Sequence, residues 1–462
     1  MSLRVSFQTF GCKLNQLETE SLADAFARAG DFVEGGAEGP AFHEADLHVI
    51  NTCTVTSKAE QKARRSIRAA LAAGPRATVL VTGCYAQVDA AALEALDCRV
   101  VVVPGEEKGG LHQLPGWLEE HWQGHGELAE ALREWRAGRD PDGEVDRFSF
   151  SPESFAFHSR PSLKVQDGCG NRCTYCRVCI ARGPSASLPA ALALERLRGL
   201  EALGAAEAVL TGVNLSQYRS EGRDFAGLLA FLLAGTSKIT LRLSSYEPDR
   251  LDEPFLEVFS EPRVRPHVHL SVQSGSDAVL ARMGRRYDGR RVLEACEALR
   301  RVRGDPFIGA DLIAGFPGET DADAGETLAL AEAAGFAWIH AFPFSARPGT
   351  AAFAMKPRVP ERTAGERVDA LCALAERGRR AYVGRWLGRE VEAVLEGHVG
   401  DGGRRRATSG NYLRLELRGE DAGPGSAGSA IEGRRGASVR CRVETAADSG
   451  EADAVAGILP IL

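Results

Sequence analysis

The sequence predicts an α/β protein in three parts: an N-terminal domain of βα repeats, a central partial (β/α)6 barrel, and a small C-terminal antiparallel β-barrel. Three observations predict it. Short apolar runs alternate with stretches of helical periodicity from the start of the chain to about residue 120. The same alternation returns six times between residues 159 and 385, too few for a closed eightfold barrel. From residue 386 onward the pattern changes to period 2, with glycine-rich breaks.

In the first part, "LRVSFQTF" reads as a strand, followed by Cys12 and a helix from Asn15 whose Asn15/Glu18 spacing resembles a capping box. "ADLHVIN" is a second strand, followed by Cys53 and a helix capped by Ser57 with Glu60 three residues on. "ATVLVTG" is a third, followed by Cys84 and a helix beginning near Val88. Each cysteine thus lies just past the C-terminal end of a strand. In a parallel sheet those ends share one edge, so three cysteines distant in sequence are expected to converge.

Residues 121–158 are polar and irregular, and read as a linker between a domain at 1–120 and a barrel at 159–385. The barrel strands are expected near "SLKVQD", "AAEAVLTG", "KITLRLSS", "HVHLSV", "FIGADLIAGF" and "WIHAFPF". The last part, 386–462, contains "REVEAVLEG", "NYLRLELRG" and "ASVRCRVET". Alternation turns Leu413, Leu415 and Leu417 inward and leaves Tyr412, Arg414, Arg418, Arg440 and Arg442 outside.

At 462 residues, about three domains are the prior. No apolar run is long enough to span a membrane, and the first residues lack the basic and apolar segments of a signal peptide. A cytoplasmic protein without a membrane partner is expected. The net charge of −7 argues weakly against nucleic acid, although a local basic face can coexist with it. The 11 cysteines read as thiols or metal ligands, because the cytosol keeps disulfides reduced.

The densest cysteine stretch is "QDGCGNRCTYC", with Cys169, Cys173 and Cys176 in the loop after the first barrel strand. Structural zinc closes with four ligands, often as two spaced pairs; here a fourth is missing. A [4Fe–4S] cluster tolerates the deficit, because each iron takes one external ligand and three cysteines leave one iron open. Zinc and a purely electron-transferring cluster remain the alternatives. Cys296 and Cys372 fall on apolar helix stripes, Cys98 opens the run "CRVVVV", and Cys441 alternates with valines, so all four read as structural.

The C-x3-C-x2-C loop after the first strand of a βα series resembles the radical S-adenosylmethionine (SAM) superfamily. Together with "GCKLNQLETE", "NTCTVTSKAEQKARRSIR" and "GCYAQ", it resembles the methylthiotransferase branch over nearly the whole chain, with a terminal TRAM-like barrel. The resemblance implies that Cys169, Cys173 and Cys176 hold the cluster whose open iron chelates SAM and cleaves it to a 5′-deoxyadenosyl radical. It also implies a second [4Fe–4S] cluster on Cys12, Cys53 and Cys84, supplying or carrying the inserted sulfur. Such chemistry replaces an unactivated C–H bond, which no side-chain base can deprotonate, so no acid–base residue is expected. One departure stands out: Cys179 occupies the place where the family usually has a proline.

The resemblance also suggests contacts to SAM at Gly212 and Asn214, after the second barrel strand, and at Gln273, Ser274 and Asp311 near the fourth and fifth. Ordinary turn chemistry explains each of these singly. TRAM-like barrels bind RNA, which points to Arg404, Arg405, Arg406, Tyr412, Arg414, Arg440 and Arg442 for phosphate contact and base stacking. Lys58, Lys62 and Arg65 add a basic helix face next to Cys53. "FGCKLNQLETE" and "NTCTVTSKA" look most like the group that acts on N6-threonylcarbamoyladenosine at position 37 of tRNA, giving its 2-methylthio derivative. The implied partners are the tRNA anticodon loop, a reductant protein such as a flavodoxin or ferredoxin, and a sulfur donor. The alternatives are isopentenyladenosine-37, a ribosomal-protein aspartate, or a non-catalytic RNA-binding metalloprotein.

Overall fold

The computed structural model of the chain describes residues 2–35, 40–139, 146–399, 404–418, 435–447 and 452–459. They form two compact units. One comprises Met1–Phe157, Lys164–Ala186 and Ser345–Phe353; the other comprises His158–Leu163, Ser187–Phe344 and Ala354–Leu462. Among the described residues, no helix is long and apolar enough to cross a membrane.

The first unit is built on five parallel strands: β1 (Arg4–Thr9), β2 (Phe32–Gly35), β3 (Leu47–Thr52), β4 (Thr78–Gly83) and β5 (Val100–Val102), in the order β2-β1-β3-β4-β5. Every residue of β3 and of β4 is buried, as expected of central strands covered on both faces. The helices are α1 (Lys13–Arg28), α2 (Pro40–Glu44), α3 (Ser57–Ala73), α4 (Cys84–Val88), α5 (Ala90–Glu94), α6 (Leu114–Trp117) and α7 (Leu128–Ala137). One core gathers Phe7, Val49 and Leu80 with Leu22 and Phe26 of α1 and Leu132 and Trp135 of α7. The other gathers Ile50, Val79 and Val81 with Ala63 and Ile67 of α3. Within the segment 121–158, expected to be a linker, α7 and Phe150 instead complete the first core. Two caps also differ. Thr56, not Ser57, caps α3, accepting from Ala59 N–H at 3.1 Å. The helix after Cys12 begins at Lys13, with Asn15 and Glu18 inside it and fully buried.

Short elements follow: β6 (Ser162–Lys164), β7 (Gln166–Asp167), α8 (Val178–Arg182) and β8 (Ala186–Ser187). The second unit then runs through α9 (Ala190–Ala202), β9 (Glu207–Thr211), α10 (Phe225–Gly235), β10 (Thr240–Leu243), β11 (Ser245–Tyr246), α11 (Glu253–Phe259), β12 (His267–Gln273), α12 (Asp277–Met283), α13 (Gly289–Arg303), β13 (Phe307–Ala314), α14 (Asp321–Ala334), β14 (Trp338–Pro343) and α15 (Glu361–Trp386). Its sheets run β10-β9-β6 and β11-β12-β13-β14. The third barrel strand is broken at Ser244, so its halves serve different sheets. The six expected strands are present and the barrel is open.

The terminal strands β15 (Glu390–Val399), β16 (Arg405–Ser409), β17 (Arg414–Arg418), β18 (Ser438–Ala446) and β19 (Ala454–Ile458) close a barrel in the order β15-β16-β17-β19-β18. It is not wholly antiparallel: β17 and β19 run parallel. Nor is it a detached module. Leu413, Leu415, Leu417, Cys441 and Val443 share one core with Phe307 of β13 and Tyr382 of α15.

Candidate functional site

The strand order places β1, β3 and β4 side by side, so Cys12, Cys53 and Cys84 follow three adjacent strand ends. Cys12 is the cap residue of α1 and Cys84 opens α4. Two glycines make the approach possible. Gly11 has φ +103, and a Cβ on it would stand 2.8 Å from the Cβ of Cys53; Gly83 has φ +96, and a Cβ there would meet the Thr52 carbonyl at 2.4 Å. Both positions combine a left-handed backbone with no room for a side chain. Burial pushes the Cys53 thiol up to about 12; the Val55 N–H opposes this, and Cys84 and Cys12 add to it. The three sulfurs therefore lie in one another's field.

Cys169, Cys173 and Cys176 belong to the same unit. Gly168, at φ +70, lets the loop pass against Pro184, whose carbonyl would lie 2.1 Å from a Cβ. Cys169 N–H donates to the Gly183 carbonyl at 3.1 Å, Cys176 N–H to Cys173 at 3.1 Å, and Ala352 N–H to Thr174 at 2.8 Å. Backbone N–H groups two residues on point at sulfur: Asn171 to Cys169 Sγ at 3.5 Å and Val178 to Cys176 Sγ at 3.4 Å. Val55 makes the same contact with Cys53 Sγ at 3.5 Å. Burial pushes Cys176 up to about 12; Val178 opposes, while Cys173, Cys169 and Cys179 raise it further. Cys179 sits in the first turn of α8, its Sγ 3.7 Å from the Cys176 carbonyl.

Both trios fit a [4Fe–4S] cluster by donor chemistry: soft sulfurs, N–H groups aimed at them, and partial exclusion of water. Among the described residues no three Cys, His, Asp or Glu side chains converge closely enough to hold a single metal ion. A cubane asks for less convergence, since each thiolate meets a different iron.

A buried ionic network joins the trios, and sequence reasoning missed it. Glu18 accepts from Lys108 Nζ at 2.6 Å and from Lys164 Nζ at 3.2 Å. Arg182 reaches Glu18 at 3.0 Å and Asp167 at 3.1 Å, and donates to Asn15 Oδ1 at 2.6 Å. Asn15 in turn donates to the carbonyls of Phe10 and Thr52 at 2.7 and 3.0 Å, beside Cys12 and Cys53. Burial alone would pull Arg182 toward neutrality, but Cys84, Glu18, Asp167 and Cys12 outweigh it and keep it charged. Burial would likewise push Glu18 up, but Arg182, Lys108 and Lys164 hold it well below the usual carboxylate range. Three cations thus face two carboxylates, and the excess positive charge lies in the field of Cys12 and Cys84. A cleft of about 1190 Å³ reaches Cys84 and is lined in part by Lys108, Lys164, Asp167 and Arg182.

A second cluster lies one residue from each trio. Arg177, next to Cys176, donates to Glu60 at 3.2 Å and to Thr54, next to Cys53, at 3.2 Å. Arg347 donates to the same Thr54 hydroxyl at 3.3 Å and pairs closely with Glu60. Burial and repulsion from Arg347 pull Arg177 down, against Glu60. Lys58, Lys62 and Arg65 are all exposed on α3, and Lys62 lies over the Phe10 ring at 5.7 Å.

In the second unit, Gly212 and Asn214 follow β9. Asn214 donates to Glu247 at 3.3 Å, and its Oδ1 accepts from Ser216 N–H at 3.2 Å. Gln273 ends β12 at φ +68, while the Ser274 hydroxyl is within 3.2 Å of Thr327 Oγ1 and accepts from Ser276 N–H at 3.2 Å. Asp311 lies mid-strand in β13, 3.0 Å from His269 Nε2 and in register with His340. His269 and His340 carry no sequence signal beyond their alternation with buried neighbours.

The barrel arginines are mostly paired. Arg440 and Arg442 both reach Glu390, at 2.7 and 2.9 Å; Arg414 reaches Asp453 at 3.1 Å, and Arg404 reaches Glu416 at 3.4 Å. Arg405 and Arg406 open β16, half-buried. Tyr412 does not face outward as expected. Its ring packs 4.3 Å from that of His267 and 5.1 Å from the Arg242 guanidinium, because φ +63 at this tight turn folds the side chain back.

Comparison with known proteins matches residues 4–105 to the family described as Uncharacterized protein family UPF0004, and residues 163–331 to the radical SAM superfamily. The threonylcarbamoyladenosine tRNA methylthiotransferase MtaB of Treponema pallidum (strain Nichols) is 43% identical over 92% of this chain and 97% of that protein. The protein of the same name from Thermotoga maritima is 35% identical, over 86% of this chain and 87% of that one. The tRNA-2-methylthio-N(6)-dimethylallyladenosine synthase of Cereibacter sphaeroides is 33% identical, over 86% and 88%. Among solved structures, the radical S-adenosylmethionine methyltransferase TsrM from Kitasatospora setae has a TM-score of 0.49 at 17% identity, over 76% of this chain and 77% of that one. The chain, an enzyme of the sulfur-group transferases, belongs to the radical SAM tRNA methylthiotransferase family.

Proposed function

We propose that the protein converts N6-threonylcarbamoyladenosine at position 37 of tRNA to its 2-methylthio derivative. Family membership implies SAM and one [4Fe–4S] cluster; the proposal adds a second. Cys169, Cys173 and Cys176 would hold the first, and Cys12, Cys53 and Cys84 the second. The observation that carries this reading is the presence of both trios in one unit, tied through the Glu18–Asp167–Arg182 network. When bound, the clusters supply the electron that cleaves SAM and the sulfur that is inserted.

The chain's own residues do the rest. The N–H groups of Asn171, Val178 and Val55 orient the sulfurs and stabilise their charge. Arg182 and Lys108 balance the negative charge that three thiolates bring into a buried place, which isolated would be costly. Gly212, Asn214, Gln273, Ser274 and Asp311 are the proposed SAM contacts. Lys58, Lys62, Arg65 and the barrel arginines are the proposed phosphate contacts, which position the RNA without reading its bases.

Nucleoside analysis of tRNA incubated with anaerobically reconstituted protein, SAM and a reductant tests the reading. Accumulation of 2-methylthio-N6-threonylcarbamoyladenosine is expected. Conversion of isopentenyladenosine alone would favour the other group of relatives, and conversion of neither would remove the tRNA assignment.

A further inference from the structure

Two guanidiniums converge on one carboxylate between the cysteine trios. Arg177 and Arg347 both donate to Glu60 and to the Thr54 hydroxyl, and that hydroxyl itself donates to Glu60 at 2.6 Å. Glu60 can neutralise only one of them; Asp89 acts on Arg177 only at longer range. Among the described residues, the Nε of Arg177 and the Nε of Arg347 are buried without a hydrogen-bond partner, and the Arg347 side chain is 3% exposed. Such groups are expensive to bury unsatisfied. An excess charge and two orphaned donors in forked geometry describe a place for a second carboxylate. Val55, next to Thr54, and Ile180, three residues after Arg177, are 58% and 48% exposed.

The nucleosides named for the relatives differ in this respect. Dimethylallyladenosine carries a neutral hydrocarbon, whereas threonylcarbamoyladenosine ends in an amino-acid carboxylate. We propose that Arg177 and Arg347, held over Glu60 and Thr54, form the site that takes the threonyl carboxylate of the substrate nucleoside, an inference that rests on the function proposed above. Placed one residue from Cys53 and from Cys176, the carboxylate would fix the adenine's approach to the sulfur-bearing and radical-generating sides together.

The test compares two anticodon stem-loop RNAs, one with the threonyl carboxylate free and one with it as the methyl ester, using the reconstituted full-length enzyme. The wild type is expected to prefer the free acid by roughly tenfold or more in KM, the effect of losing a charge-assisted hydrogen bond. Arg347→Gln should bring the ratio of the two KM values close to one, and Arg347→Lys, which keeps charge but loses the fork, should restore part of it. Iron content and the thermal unfolding midpoint check that each variant is loaded and folded. A preference for the acid that survives in both variants, while the wild type converts the acid, overturns the inference and leaves the proposed function standing. A rise in the SAM dissociation constant with the acid-to-ester ratio unchanged also overturns it, assigning the arginines to the methionyl carboxylate. A wild type that converts only isopentenyladenosine RNA overturns both.

Discussion

At the scale of single residues, the lesson lies in Asn15 and Glu18. Their spacing imitates a helix cap, yet both are fully buried and bind Arg182. A cap reading rests on local backbone chemistry; the actual partners, Lys108, Lys164 and Arg182, lie 90 or more residues away and leave no local trace. The places of the six candidate cysteines, in contrast, were legible, because strand ends and a three-cysteine loop carry local signatures. Arg347 was not legible: it sits in the plain turn "SARPGT", and only the fold brings it to Glu60. The network gives a direct stability prediction. Glu18→Gln leaves three buried cations against Asp167, so unfolding should cost about 3–5 kcal/mol less, read from denaturant midpoints. Glu44→Ala, which breaks an exposed pair with Arg4, should stay within about 0.5 kcal/mol. Equal effects of the two would contradict the buried network. On the roles proposed for the two trios, Cys173→Ala should abolish SAM cleavage, while Cys53→Ala should keep cleavage and lose sulfur insertion. Matching losses in both variants, with folding intact, would refute the division.

At the scale of elements, β3 has His48 as its second residue and is followed directly by Cys53. His48 is buried, its Nδ1 2.6 Å from Ser6 Oγ and its ring 4.7 Å from Phe42. Burial, with a smaller contribution from His43, pushes it down from 6.5 to about 4. The folded chain thus holds the ring neutral where the unfolded chain would protonate it. Its stabilising contribution is complete above pH 6.5 and disappears as pH falls through about 4, a loss of about 3 kcal/mol. Thermal unfolding across that window should show the drop, and His48→Asn should flatten it; an unchanged slope in the variant would sink the assignment. Helix α7 shows why the supposed linker was misread. Its segment is polar overall, but Leu128, Leu132 and Trp135 form a narrow stripe that only the neighbouring β-sheet makes meaningful.

At the scale of the molecule, the α/β class, the open six-stranded barrel and the terminal barrel were readable from periodicity, which reports burial on one face or two. Their boundaries were not, because packing ignores them: Phe307 and Tyr382 sit in the terminal barrel's own core, and Arg242 binds the Ser409 and Gly410 carbonyls at 3.0 and 3.1 Å. Deleting that barrel would expose a core, so its proposed role in RNA binding is better tested at its surface. Arg440→Ala with Arg442→Ala should weaken tRNA binding and lower the slope of log affinity against log salt by up to about two. An unaltered slope would mean that the Glu390 pairs already neutralise this face.

The central claim is that two cysteine trios in one unit each hold a four-iron cluster. Iron and acid-labile sulfide per chain, measured after anaerobic reconstitution, test it most directly. The wild type should bind about eight irons, and a variant with Cys12, Cys53 and Cys84 replaced by alanine about four. Four irons in the wild type, or eight in the variant, would contradict the claim.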